Sequence, residues 1–444
     1  MNKAIAEAVD KYRSLILDVE RYVWEHPETG YREMETSRYL EEKFESLGYE
    51  LTRAEGIPGF YTVLDTGKKG PEILVLGELD SLICPNHKEA VPDTGYVHVC
   101  GHNAQVAALV GIAAALKEPG ICDGLCGKIR ICAVPAEELI ELGYREELIK
   151  KGIIKYYCGK TEFLSRGYFE GADIAFMVHS AKDFSCIKGM TGCIAKTVRY
   201  KGQSAHAGGE PWNGKNALYA ATQGLSAANA IRETFNEADL IRFHPIITHG
   251  GEAVNAIPEL GAMESFVRGK TFDAITDANK RLNRALCGAA LSLDANVEII
   301  DRTGYSPLNN NDGLIELTKE AADWVIPEEN FKVYDYFSTG STDMGDLSCL
   351  MPVVHPNAGG ITGKSHGEDF YIDDPERACV KSAKMQVAMI YLLLKNGGER
   401  AKSILSDFKP LFNSNDEFFE YLNNLNHDGD RIAYNSDGTA TVRI

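Results

Sequence analysis

The chain has 444 residues, enough for two or more domains, and its 44% apolar content is ordinary for a globular protein. Lys plus Arg number 46 against 64 Asp plus Glu, a formal charge of −18, which argues against a nucleic-acid or anionic-membrane partner. Eleven Cys without a paired framework, and an N-terminus (Met1 to Ile5) lacking the apolar core of a signal peptide, lead us to expect a reducing cytoplasm.

In chain order, apolar residues spaced three and four apart predict an amphipathic helix over 3–25, stopped by Pro27. A second helix is expected from Glu35 to Leu47, ending at Gly48. Three buried strands follow: Ile73 to Leu76, Lys128 to Val134, and Asp173 to Val178. Each delivers a polar, chemically able residue just past its C-terminal end: Asp80, then Glu137 and Glu138, then His179. Open α/β sheets build their sites there. The longest apolar run, near Val106–Leu116, is too short to span a bilayer.

Between the first two strands stand His98, Cys100 and His102, at i, i+2 and i+4. An extended segment would put all three on one side, as soft ligands of the zinc type. The helix-prone run Ala104 to Leu116 follows, so a Cys100 thiolate would sit favourably at a helix N-terminus. Lone Cys and His are equally at home as ordinary core residues. Residues 141–170 read as a polar insertion of unassigned role.

From 191 to 302 the order becomes β-α-β-β-α-β with a short extra piece, expected as a ferredoxin-like α+β domain inserted into the first. Its strands are expected at Ile194–Tyr200, Ile241–Thr248, Ala253–Ile257, Gly261–Arg268 and Asn296–Asp301. The α/β pattern resumes after Gly304 with helices at Asp312–Val325 and Asp374–Lys395. The catalytic domain is thus expected at 1–190 and 303–444, a mixed sheet flanked by helices. Its last part, about 397–444, reads as a loosely docked polar tail.

Adjacent Glu137 and Glu138 sit in a strand-to-loop turn and point different ways. Two buried carboxylates without a cation would be costly, and a metal removes that cost; the ordinary alternative is a solvated acidic patch. Cys100, His102, Glu138, His179 and His366 are five N, O and S donors, too many for one tetrahedral zinc. They suit two divalent ions, zinc or manganese, sharing a water, with Glu137 as general base. His98 is expected to support a ligand through a hydrogen bond, and Asp80 to orient a ligand imidazole. His206, in the Gly-flanked Ser204–Gly209 loop, could close over the metals and stabilise an oxyanion. Arg268 could clamp a substrate carboxylate, the alternative being an exposed strand residue.

The motifs Gly77-Glu-Leu-Asp80, His98-Val-Cys-Gly-His-Asn103, Pro135-Ala-Glu-Glu138, Met177-Val-His179, Ser204-Ala-His206-Ala, Gly340-Ser-Thr-Asp343 and the His366 segment occur in this order. Over about 10–395 the chain resembles the co-catalytic metal amidohydrolases that include aminoacylases, hippurate hydrolases and auxin-conjugate hydrolases. It is most similar to the branch of aminobenzoyl-glutamate hydrolase and dipeptidase-like relatives. The resemblance implies an α/β catalytic domain, an inserted lid that dimerises, and two zinc or manganese ions. It implies cleavage of an amide in an N-acyl amino acid, aminobenzoyl-glutamate-type conjugate or dipeptide. Cys100, His102, Glu138, His179 and His366 match the metal ligands and Glu137 the general base. His206 matches a lid histidine that reaches the neighbouring subunit's site; Asn255, Arg268 and Gly340 match substrate-binding positions. Gln105 departs from the family, standing where many relatives have a second histidine. Two other functions fit fewer residues: a thiol hydrolase using Cys100 and His102, and a metal-dependent binding protein without turnover.

Overall fold

The computed structural model describes residues 1–444. The chain forms two compact units. The first holds Met1–Gly189, Leu308–Phe337 and Thr342–Asn415; the second holds Met190–Pro307, Ser338–Ser341 and Asp416–Ile444.

The first unit is built on a six-stranded mixed sheet. Its order is Thr52–Arg53, Phe60–Asp65, Lys128–Val134, Glu72–Glu78, Ile174–Phe176, Val353–Val354. The last four run parallel, and Phe60–Asp65 pairs antiparallel to Lys128–Val134. Every residue of Glu72–Glu78 is buried, as expected of a strand covered on both faces. The helix His102–Leu116 is also buried along its whole length. It packs against that strand and against the helices Arg13–Glu25 and Ser382–Leu394. Each aliphatic side chain it buries contributes about 1.5–3 kcal/mol. Parallel strands with this central helix bring all their C-terminal ends to one edge of the unit.

In the second unit, one antiparallel sheet has the order Arg242–Phe243 with Ile246–His249, then Leu260–Gly269, Gly192–Lys201 and Asn296–Tyr305. The helices Ala217–Arg232 and Phe272–Leu291 pack on each other and on this sheet, a ferredoxin-like arrangement. Inside it, Lys196 is fully buried against Asp301, which also accepts from Asn279 and Asn283.

Local structure departs from the sequence reading in four places. The first helix is two, Asn2–Asp10 and Arg13–Glu25, broken where Lys11 and Tyr12 both turn to Glu118. The strand expected over Ile241–Thr248 is split in two. No strand forms over 253–257: Ala256 makes a single bridge to His206, and Pro258 follows. The segment after 397 is structured. It forms the helices Glu399–Asp407 and Asn415–Leu425 and the hairpin Ile432–Tyr434/Ala440–Val442. From Asp416 on it belongs to the second unit, where His427 pairs with Asp301 and buried Ile432 joins the core. No helix is long and apolar enough to cross a membrane.

Candidate metal centre

Five stretches of the first unit converge on one place. The strand Glu72–Glu78 runs out at Glu78, and Asp80 lies two residues on, so both carboxylates fall on the same side. Beyond Lys128–Val134 the chain makes a tight turn with Ala136 at φ +55°. That turn is tied down by its amides: Ala136 N–H donates to Glu33 Oε1 (2.7 Å) and Glu138 N–H to Asp80 Oδ2 (2.7 Å). The fully buried Arg145, from the insertion, donates to the Glu138 carbonyl. His179 opens a short strand parallel to Asn357–Ala358. His366, at φ +63°, is fixed by its N–H on the Val99 carbonyl (2.8 Å).

Cys100 and His102 reach the centre by a route other than the one expected. The segment 98–102 is not extended. It turns at Cys100, and the helix begins at His102. Gly101 makes the turn at φ +84°, where a Cβ would lie 2.7 Å from that of Ser180, so only glycine fits. The turn separates His98 from the other two. His98 is buried and joins no donor cluster; its burial and the nearby His102 push its pKa down to about 3.

Three donor clusters result: Cys100–His102–His179, Cys100–Glu138–His366 and Glu78–His102–Glu137, the atoms of each within 4.8 Å of one another. Cys100 Sγ lies 3.2 Å from His179 Nε2. His102 Nδ1 donates to the Asp80 carbonyl (2.8 Å) and faces its Oδ1 (3.2 Å), while Nε2 faces Glu78 Oε2 at 3.1 Å. His366 Nε2 lies 3.2 Å from Glu138 Oε1. Neither of these last two contacts has hydrogen-bond geometry: His102 Nε2 and Glu138 Oε1 are buried without a partner. Buried polar atoms are nearly always satisfied, so these two fit a cation. Soft thiolate and imidazole with a carboxylate is a zinc- or manganese-compatible set.

The electrostatics agree. Burial and Glu138 oppose ionisation of Cys100, yet His179 and His102 hold its thiol down to about 6. Burial likewise opposes ionisation of Glu138, but His366 beside it brings the carboxyl down to about 2. Burial also works against the His102 imidazolium, while Glu78 and Cys100 raise it well above its ordinary range. A proton on an imidazole and a divalent cation compete for the same lone pair, so groups that favour one favour the other. Burial, with Glu78 and Glu138 close by, lifts Glu137 well above the usual carboxylate range.

Three buried residues in this neighbourhood escaped the sequence reading. Glu78 shares a motif with Asp80, and their i, i+2 spacing on a strand end was the available signal. His355 follows the parallel strand Val353–Val354, as His179 follows Ile174–Phe176; its ring is 5.7 Å from that of His179. Lys160, from the helix Gly159–Ser165 in the insertion, gave no signal. Gln105, the departure noted in the sequence, donates to Glu78 Oε2 at 2.8 Å.

The remaining expected residues lie in the second unit, in two pairs. His206 and Asn255 are neighbours through the Ala207 N–H, which donates to the Asn255 carbonyl (2.9 Å). His206 Nδ1 accepts from the amides of Gly208 (3.2 Å) and Gly209 (2.9 Å). Arg268 Nη1 donates to Ser341 Oγ (3.0 Å), next to Gly340, whose carbonyl accepts from Thr191 Oγ1 (3.0 Å).

A parallel-stranded unit that gathers N, O and S donors at its strand ends has the architecture of a metal-dependent hydrolase of amide bonds. Comparison with known proteins makes the assignment particular: the chain belongs to Peptidase family M20/M25/M40, which matches residues 74–392. It is 26% identical to the Xaa-Arg dipeptidase of Mus musculus, covering 88% of this chain and 86% of that protein. It is 28% identical to the N-acetyl-L-cysteine deacetylase of Bacillus subtilis (strain 168), covering 69% of this chain and 72% of that protein. Among solved structures, a Bacillus subtilis protein described as a dinuclear metal binding peptidase of the M20 family superimposes with a TM-score of 0.63. It is 19% identical and covers 87% of this chain and 99% of its own.

Proposed function

We propose that the chain hydrolyses the amide bond of an N-acyl amino acid, an aminobenzoyl-glutamate-type conjugate or a dipeptide. Two divalent cations, zinc or manganese, would be held by Cys100, His102, Glu138, His179 and His366. The observation that carries this is the pair of donor clusters sharing Cys100, drawn from segments as far apart as residues 100 and 366. When bound, the ions polarise the scissile carbonyl and lower the pKa of water.

The chain's own residues supply the rest. Asp80 fixes the tautomer and direction of the His102 ring through Nδ1. Glu137, buried beside Glu138, takes the proton of the attacking water and returns it to the leaving nitrogen. Arg145 and Glu33 hold the turn that aims this Glu pair. His206 would stabilise the oxyanion, and Asn255, Arg268 and Gly340 would bind substrate, Arg268 by pairing with a free carboxylate. A homodimer through the second unit is supported by its open edge strand Ile246–His249, with Ile246 64% and Tyr219 60% exposed. A cytoplasmic setting is supported by eleven cysteines that form no disulfide.

The test is to strip the protein of metal, restore Zn²⁺ or Mn²⁺, and screen N-acyl amino acids, aminobenzoyl-glutamate and dipeptides. Glu137→Gln is expected to retain two ions and lose about 10²–10⁴-fold in kcat. Full turnover by that variant overturns the base assignment. A thiol alkylator that abolishes activity without releasing metal would favour the thiol hydrolase. Metal binding with no cleavage across the panel would favour a binding protein.

A further inference from the structure

Lys160 has no solvent exposure and lies against two carboxylates from distant parts of the first unit. Its Nζ is 2.5 Å from Glu78 Oε1 and in direct contact with Asp343 Oδ1; its backbone N–H donates to Asp343 Oδ2 at 2.9 Å. Next to it, Thr161 Oγ1 donates to Asp346, tying the same helix to the same segment. Glu78 faces two ways. Oε1 is taken by Lys160, whereas Oε2 receives Gln105 Nε2–H and faces His102 Nε2 at 3.1 Å. All of these side chains are at most 4% exposed.

Burying an ammonium with two carboxylates is an expensive way to fill space. Desolvation removes several kcal/mol per ion, and apolar residues of the same volume usually serve stability as well or better. The triad therefore points to a role that needs a charged Glu78 at a fixed place. The surroundings are rich in acid, with Asp80, Glu137 and Glu138 also buried nearby. Without a cation at this point, Glu78 and Asp343 would add to that repulsion, and Glu78 would be held by the Gln105 amide alone, with its Oε1 unpaired.

We propose that Lys160 is a positioning residue of the metal centre, its buried ammonium anchoring Glu78 against the His102 imidazole and locking Asp343 to the same point. The polar insertion that carries it is then part of the centre's framework: it supplies the cation beneath His102, as its Arg145 supplies the clamp on the Glu138 carbonyl. This rests on the metal reading above. Lys160 acts on the ion that His102 holds and leaves the His366 side alone, since none of its contacts reach Glu138 or His366.

The test is calorimetric titration of metal-stripped, folded protein with Zn²⁺ and with Mn²⁺. Lys160→Met alone leaves two buried carboxylates unpaired and can fail to fold, so the decisive variant is the double K160M/D343N, which removes the cation together with one partner charge and keeps Glu78 in place. Wild type is expected to bind two ions. The folded double variant is expected to bind one of them about 10–100-fold more weakly and the other unchanged. Two ions bound with wild-type affinities would overturn the proposal while leaving the metal reading intact. Equal weakening of both would also overturn it, as the mark of a merely structural residue. A wild-type protein that binds no pair of ions would remove the metal reading itself.

Discussion

The carboxylate of Asp80 accepts the backbone N–H of Glu138 at 2.7 Å while its other oxygen faces His102. One side chain thus joins the first strand end to the second and fixes two proposed ligands. Removing it should loosen both. Asp80→Ala is expected to weaken metal binding about 10–100-fold, as loss of a hydrogen-bond partner behind a ligand generally does. Asp80→Asn keeps one acceptor oxygen and should fall between. Titration of the metal-free variants with Zn²⁺ reads this directly; wild-type affinity in D80A would show that Asp80 does not orient His102.

Gly159 is where the insertion meets the Pro135–Glu138 turn. A Cβ there would sit 1.6 Å from the Pro135 carbonyl oxygen, and no side-chain rotation relieves a backbone clash. Gly159 N–H also donates to the Ala136 carbonyl at 3.1 Å, so the two segments cannot separate without losing a hydrogen bond. Gly159→Ala is expected to destabilise the chain by about 3 kcal/mol or more, measured by the urea midpoint. A midpoint within error of wild type would mean that this close approach does not hold the insertion in place.

The C-terminal segment seals one edge of the second unit's sheet. Asp430 bridges Glu298, His427 bridges Asp301, and Arg431 N–H donates to Val297 O at 2.9 Å, all along the outer strand Asn296–Tyr305. An open strand edge invites pairing with other chains. Truncation after Asn415 should expose that edge and the apolar face beneath Ile432. The expected result is aggregation in light scattering and rapid proteolysis within 190–307. A truncated chain that stays monodisperse and protease-resistant would show that the segment is only loosely attached.

What one sequence reveals here follows from range. The strand ends were legible because each buried strand announces itself as an apolar run and leaves its polar residue just beyond. Glu78 was as legible as Asp80, since a strand end puts both on one side. Lys160 was not: its partners Glu78 and Asp343 are 82 and 183 residues away, and a lysine in a polar stretch reads as solvated. The tail misled for a related reason. Its contacts with Asn296–Tyr305 combine backbone pairs with hydrogen bonds from the side chains of Asn296, Arg302, Asn426 and Arg431, polar residues that read as solvated in the sequence. Reading 98–102 as extended chain misled, because Gly101 turns it and takes His98 away from Cys100 and His102, although His98 was already expected outside the ligand set.

Glu20 gives a prediction that needs no metal. It lies in the helix Arg13–Glu25, 9% exposed, and accepts Asn103 Nδ2–H at 2.7 Å. Burial pushes its pKa up to about 7, against the smaller downward pulls of Arg21 and Asn103. The folded chain therefore keeps a proton that the unfolded chain releases from pH ~4.5 upward. The stability this group allows is complete below that pH and is lost as pH rises to about 7, roughly 3 kcal/mol in all. Glu20→Gln keeps an acceptor for Asn103 and has no charge to bury. The variant should match wild type near pH 4.5 and exceed it at pH 8, by up to about 3 kcal/mol in urea unfolding. Equal stability of the two at pH 8 would show that Glu20 is ionised in the folded chain at little cost.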